Sequence, residues 1–543
     1  MTLFSTFFIA LLVSMLLVPP LVRVSPRLGL IDIADDRKVH AGAIPRSGGI
    51  AIVLGALVPL LVWWPEERTL RAFVMGASVI FVFGVLDDRN GLHYAWKFLG
   101  QILAVAIVIA AGIRIDMVPF CGIDPVSPWL SIPLTAGFIV GVTNAINLSD
   151  GLDGLAAGTA LIALTALAWM FYQNQSLSMA LVTLATLGGV CGFLRYNNHP
   201  AVIFMGDTGS QFLGFTAAVL AILLTQQSNT ALNPALLLLL LGLPILDTLT
   251  VMIWRIRNGR SPFLPDRNHF HHRLLDFGLY QYEAVSCIYI AQATMVLTGY
   301  SLRFESDAVV LAAYIAMSFL ILLGFRLFRV LDVQFHVTDR KRLGPLDAGE
   351  WRRLYPRLPA FAIRATELFV SVLLVLSALY AVDVPEQLGK LSLALAVAFL
   401  FVSVLPPAGR DAARGLCIYL AGVAAVLALA GGGRPGLPGS FAVNTAFVAM
   451  GAALFITIQI AGRSEFKSTP LDFLVLAFVL AIVISAQFSN QPTIGVPLAD
   501  TAIRLAVVFY VSEFLGKRRS ETRALLPWAA VIMLGILAYR GMT

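Results

Sequence analysis

Along this chain apolar residues run almost unbroken for about twenty positions at a time, and polar residues gather in the short stretches between. At 1.5 Å per residue, about twenty helical residues cross roughly 30 Å of hydrocarbon. Backbone groups in lipid must be satisfied within their own segment, so each run predicts a helix. Spans are expected near 3–22, 48–64, 70–86, 98–113, 130–147, 155–173, 177–194, 210–226, 232–254, 284–301 and 307–328. A second series is expected near 362–381, 390–406, 412–430, 440–461, 471–488, 500–516 and 525–541. The prediction is an all-α, polytopic membrane protein with about eleven spans in one group and about seven in the other, about eighteen together. The first run, Phe4 to Val22, lacks a basic segment before it and a small-residue cleavage site, so it reads as a membrane helix rather than a leader.

Composition agrees with lipid as the solvent. With 58% hydrophobic and 13% charged residues, and a mean hydropathy of +0.84, too little polar surface remains to cover a water-soluble globule. Cys121, Cys191, Cys287 and Cys417 show no CxxC spacing and no pair within one loop, which suggests neither a zinc site nor a disulfide framework. The formal charge of +7 matters through its placement. Arg23, Arg27, Arg37, Lys38 and Arg46 share one connection, and Arg255, Arg257, Arg260, Arg267 and Arg273 a later one; the positive-inside rule puts both in the cytoplasm. A basic stretch with Arg340, Lys341, Arg342, Arg352, Arg353 and Arg357 divides the two series. We read 1–330 as a core, 331–361 as a cytoplasmic linker suited to anionic headgroups, and 362–543 as a C-terminal membrane region of unassigned role.

Carboxylates are costly in such a chain, so clusters of them mark function by default. Asp35-Asp36, Asp87-Asp88, Asp150 with Asp153, Asp207, and Asp266 followed by His269, His271 and His272 all fall in connections on the predicted cytoplasmic side. Asp87-Asp88, with Lys97 opening the next span, fits either a solvated turn or a pair that takes a proton or places a divalent cation. In the stretch from Asn144 to Gly158, Asn144, Asn147, Asp150 and Asp153 recur every third residue, which on a helical turn gives one oxygen-rich face for a hard cation or a base edge. Phe204-Met205-Gly206-Asp207-Thr208-Gly209 reads as a glycine-flanked turn feeding a helix, with Asp207 a cap or a magnesium ligand. His269-Phe270-His271-His272-Arg273 lacks HExxH spacing and nearby cysteine, and suits a diphosphate better than catalytic zinc.

Together with Asp32 to Gly49 of the first connection, these stretches resemble the polyprenyl-phosphate N-acetylhexosamine-1-phosphate transferases, in particular the bacterial undecaprenyl-phosphate N-acetylglucosamine-1-phosphate branch. The resemblance covers roughly residues 1–330. It implies an inner-membrane enzyme with its site at the cytoplasmic face, which takes a UDP-amino sugar and undecaprenyl phosphate, releases UMP, and uses Mg2+, with Mn2+ as a substitute. Asp87 and Asp88 would lie near the lipid phosphate with Lys97 holding it, and Asn147 and Asp207 would hold the metal. Asp153 would hydrogen-bond uracil, Phe204 would stack on it, and Asp150 belongs to the same loop. His269, His271, His272 and Arg273 would line the pyrophosphate and sugar side, and Asp35, Asp36 and Arg46 would join the substrate-binding surface. A homodimer is compatible with the resemblance, and no nucleic-acid partner is implied. The rival expectations are a lipid-linked sugar flippase, which would carry charges near span centres, and a membrane scaffold for polysaccharide assembly, which would tolerate loss of these side chains.

Overall fold

Where the apolar runs are described, they are helices. The computed structural model describes residues 2–32, 43–62, 67–120, 125–228, 231–261, 268–335, 358–381, 384–404, 407–430, 446–447, 449–454, 457, 501, 503–508, 510–511 and 525–543. The chain divides near residue 340 into two compact units. The first contains α1 (Thr2–Leu28), α2 (Gly48–Val62), α3 (Arg68–Asn90), α4 (Tyr94–Ala110), α5 (Pro128–Leu148), α6 (Leu155–Gln173) and α7 (Leu177–Asn197). It continues with α8 (Gly206–Leu223), a π-helical turn at Leu224–Ser228, α9 (Leu236–Leu240), α10 (Gly242–Arg257), α11 (Phe270–Asp276), α12 (Gln281–Ser301) and α13 (Asp307–Val330). Among the described residues a two-residue antiparallel ladder joins β1 (Ile31–Asp32) to β2 (Ile44–Pro45). Among the described residues of both units, nine helices are long and apolar enough to cross a membrane.

Helix α8 is the axis of the first unit. Its apolar stretch is fully buried, whereas that of α13 is 11% buried, as expected of a helix facing lipid. Helices α2, α3 and α5 pack on α8, and α7 joins α1 to α2. Small residues permit these crossings: a Cβ on Gly189 would stand 2.7 Å from the carbonyl of Ile52, and one on Gly192 2.7 Å from that of Leu11. The hydroxyl of Ser14 on α1 donates to the carbonyl of Gly189 at 2.8 Å.

The run expected as one span at 232–254 is instead two helices, broken at Leu241. The reason is Pro244, which has no N–H to return to the carbonyl of Leu240. That carbonyl is satisfied from outside, by the buried amide of Gln292 on α12 at 2.8 Å. Asn144 and Asn147 sit on α5 as expected, but Asp150 and Asp153 lie in the turn that follows and not on a continued helix.

The second unit contains α14 (Leu358–Tyr380), α15 (Glu386–Val404), α16 (Pro407–Ala430) and α17 (Leu525–Met542). Helices α14 and α17 run in the same direction and are tied at two levels. Buried Glu367 accepts the Leu526 N–H at 3.4 Å, and Arg540 donates to the carbonyls of Ala378 and Leu379 at 2.9 and 3.1 Å. The expected span at 471–488, and most of 440–461, lie outside the described residues.

Candidate active site

Four helix ends bring the carboxylates together. Asp87 and Asp88 close α3, Lys97 lies in the first turn of α4, Asn147 closes α5 and Asp207 opens α8. The paired aspartates have different surroundings. Asp88 is 8% exposed and directs both oxygens at α8, accepting the Asp207 N–H at 2.8 Å and the Thr208 N–H at 2.9 Å, with the Thr208 hydroxyl on the same oxygen. It caps the orphan donors of that helix. Gly206 makes the approach feasible: its φ of 68° suits glycine, and a Cβ would stand 2.6 Å from both Asp88 oxygens. Asp87 instead accepts the Leu92 N–H at 2.8 Å through one oxygen and meets Lys97 Nζ at 2.5 Å with the other.

Lys97 also donates to Asp207 Oδ2 at 2.8 Å, and the Asn147 amide donates to Asp207 Oδ1 at 2.7 Å and to Ser210 at 2.8 Å. Beneath them an amide layer of Gln101, Asn144 and Gln211 is internally hydrogen-bonded, with Asn144 Nδ2 to Gln101 Oε1 at 2.8 Å and Gln101 Nε2 to Gln211 Oε1 at 3.1 Å. The donors nearest one another, Asp87, Asp207 and Asn147, are all oxygen-bearing, without thiolate or imidazole. That set fits a hard divalent cation which draws few ligands from protein and the rest from phosphate and water. Among the described residues no three His, Cys, Asp or Glu side chains come together as a metal-binding group.

The turn after α5 is held on three sides. Gly154 (φ 77°) donates its N–H to Asn197 at 2.9 Å, and its carbonyl accepts the Tyr289 hydroxyl at 2.7 Å. Asp153 meets His199 Nδ1 at 2.7 Å and accepts the Ala201 N–H at 3.1 Å. Asp150 keeps an exposed surface. Desolvation, followed by the charges of Asp207, Asp88 and Asp153, raises its carboxyl above the usual carboxylate range, and because the side chain is exposed the three like charges are the causes that hold. Excess negative charge of this kind is what a bound cation relieves.

The histidine motif reaches the same turn. His271 on α11 packs directly against Gly151, and its ring lies 4.2 Å from that of His272. His269 precedes α11 and meets Asp247 of α10. Arg273 lies over the ring of Phe325 at 5.9 Å. The first connection joins through its backbone: Phe204 donates its N–H to the Pro45 carbonyl at 2.7 Å and accepts the Gly48 N–H at 2.9 Å, while Arg46 pairs with Asp32. Asp35, Asp36 and Asp266 lie outside the described residues.

His271 is 3% exposed, and burial, with the charges of His272 and His269 added, pulls its imidazole from 6.5 down to about 3. An unfolded histidine protonates below about 6.5, so between those values the unfolded chain binds the extra proton. The stabilisation from a neutral His271 is complete above pH 6.5 and drains away as the pH falls toward 3. Below pH 6.5 the wild type should lose thermal stability more steeply than His271→Gln, the difference growing by up to about 1.4 kcal/mol per pH unit. Parallel melting curves for the two proteins in detergent across pH 7 to 4 would refute this.

Sequence reasoning passed over Asp247, Asn197, His199 and Tyr289. Asp247 carried a usable signal as a lone carboxylate within an apolar run, and His199 follows two asparagines and precedes Pro200. Tyr289 gives no such signal, because its partner is a backbone carbonyl 135 residues away.

Comparison with known proteins bears on the same residues. The sequence model of glycosyl transferase family 4 matches residues 70–225, which run from α3 into the π-helical turn after α8. The chain is 40% identical over 288 residues to a probable undecaprenyl-phosphate N-acetylglucosaminyl 1-phosphate transferase of Bacillus subtilis (strain 168), covering 52% of this chain and 80% of that protein. It is 29% identical over 334 residues to the undecaprenyl-phosphate alpha-N-acetylglucosaminyl 1-phosphate transferase of Yersinia pestis, covering 59% and 90%. It is 34% identical over 298 residues to the decaprenyl-phosphate N-acetylglucosaminephosphotransferase of Mycobacterium leprae (strain TN), covering 49% and 74%.

Proposed function

Because the chain belongs to glycosyl transferase family 4, we propose that it transfers N-acetylglucosamine 1-phosphate from a UDP-linked donor to undecaprenyl phosphate, releasing UMP, as the first membrane step in building a cell-surface polysaccharide. The observation that carries this reading is the meeting of Asp87, Lys97, Asn147 and Asp207 at the ends of four helices. A site for headgroup chemistry belongs at span ends, whereas a translocation path would place ionisable groups at span centres.

In the reaction a lipid phosphate oxygen attacks the β-phosphorus of the donor, and the bond to UMP breaks. Both reactants are anions, so the protein's main task is to align groups that repel each other. Lys97, set between Asp87 and Asp207, supplies the positive charge that receives the lipid phosphate. Asp87 stands next to it as the group available to accept a proton, because Asp88 is committed to the α8 backbone. Mg2+, held by Asp207 and Asn147 with Asp87 beside them, would screen the diphosphate and stabilise the leaving UMP. Asp153, which meets His199, would hydrogen-bond uracil with Phe204 stacking on it, and the histidine motif would take the pyrophosphate and sugar. The basic connections orient this end toward the cytoplasm of a bacterial inner membrane.

Purified protein given undecaprenyl phosphate and a panel of UDP-amino sugars should release UMP only when lipid and Mg2+ are both present, fastest from the N-acetylglucosamine donor. A folded preparation that releases no UMP from any donor would overturn the reading.

A further inference from the structure

Asp247 is a carboxylate on α10 with 4% exposure, outside every motif discussed above. One of its oxygens accepts the Phe270 N–H at 2.8 Å, and the other meets His269 Nδ1 at 2.9 Å. His269 is itself 5% exposed. Burying a carboxylate is expensive, and a helix cap does not require one, since a neutral asparagine or serine caps as well. What the charge adds is control of the ring. An ionised carboxylate can only accept, so opposite it Nδ1 of His269 carries the proton and Nε2 becomes the nitrogen open to other chemistry. The His269 ring is parallel to that of His271, with centroids 5.8 Å apart and planes 8° apart, and His271 packs on Gly151 beside Asp150. The buried carboxylate therefore connects, through two imidazoles, to the turn that carries Asp150 and Asp153.

We propose that Asp247 is a positioning residue for the transfer reaction, fixing the tautomer and orientation of His269 so that its Nε2 is presented to the sugar-diphosphate part of the donor. The same logic governs metal-bound and triad histidines, where an acidic partner selects which ring nitrogen works. The proposal deepens the transferase reading and rests on it for its kinetic test, while its spectroscopic test stands without it.

Asp247→Asn separates the two jobs of this side chain. Its amide oxygen can still accept the Phe270 N–H, but its NH2 then faces Nδ1, which must give up the proton to Nε2. Nitrogen-15 NMR of histidine-labelled protein, with His269→Gln used to assign the signal, should show His269 changing from the Nδ1–H to the Nε2–H form. The thermal midpoint should stay close to wild type, and kcat for UMP release should fall about 10- to 100-fold. His269→Gln should lose a similar factor, and the double variant should lose no more than either single one. Wild-type kcat in Asp247→Asn, an Nδ1–H signal that persists in it, or losses that multiply in the double variant would each overturn the proposal. If Asp247→Asn does not fold, the pair is judged on the wild-type spectrum, where an Nδ1 without a proton overturns it. Absence of UMP release in the wild type would sink the transferase reading instead, and the NMR result would still decide the Asp247–His269 pair.

Discussion

Asp207→Asn should lower kcat for UMP release by about 10²- to 10³-fold, the loss typical of removing a centrally placed electrostatic group. Asp207 accepts from Lys97 with one oxygen and from Asn147 with the other. An asparagine there must turn its NH2 toward one of those donors, so a donor faces a donor and the negative charge is lost as well. The fold should survive. Asp88 holds α8 through the backbone N–H groups of residues 207 and 208, which the substitution leaves in place. Manganese binding followed by electron paramagnetic resonance should weaken at least about tenfold, in line with loss of a ligand or its immediate support. Wild-type turnover together with unchanged manganese affinity would remove Asp207 from the centre of the mechanism.

Gly49→Ala should damage the same site through packing, at a cost of about 3 kcal/mol or more, the upper range for overpacking. The added Cβ would fall on the Gly209 backbone and 2.7 Å from the Met205 carbonyl. Flexible side chains can turn away from such a clash, but backbone atoms cannot. The N-terminal ends of α2 and α8 would be forced apart where Gly49 donates its N–H to Met205 at 2.8 Å. A lower melting temperature and a falling kcat should therefore appear together. Gly137→Ala is the matched control, since a Cβ at that position meets nothing within 4 Å. Equal stability of the two variants would show that the close approach carries no energetic weight.

How much of this was readable in advance depended on the kind of signal. Membrane helices announce themselves because lipid removes every alternative for an unpaired backbone. The candidate site could be picked out because aspartates at 87, 88, 150, 153 and 207 are conspicuous in an apolar chain. The division of labour between Asp87 and Asp88 was not readable, because neighbours in sequence differ here only in which helix their side chains meet. The break at Leu241 was signalled by Pro244, but its rescue by Gln292 depends on a helix half a hundred residues later. Asp153 was singled out and its partner His199 was not, since nothing local couples residues 46 positions apart. The C-terminal helices carry few charges to read, and Glu367 and Arg540, which look anomalous in an apolar tail, serve as ties between α14 and α17.

The attachment of Asp88 to the first turn of α8 also has a kinetic meaning. With both its oxygens spent on α8, the end of α3 and the start of α8 form one rigid block, and Lys97 and Asn147 close onto the same block through Asp207. Dipoles fixed before the reactants arrive spend no reorganisation energy when charge moves during phosphoryl transfer. On the proposed mechanism Asp88 would contribute to the rate through this attachment, by keeping its neighbours from relaxing around the ground state.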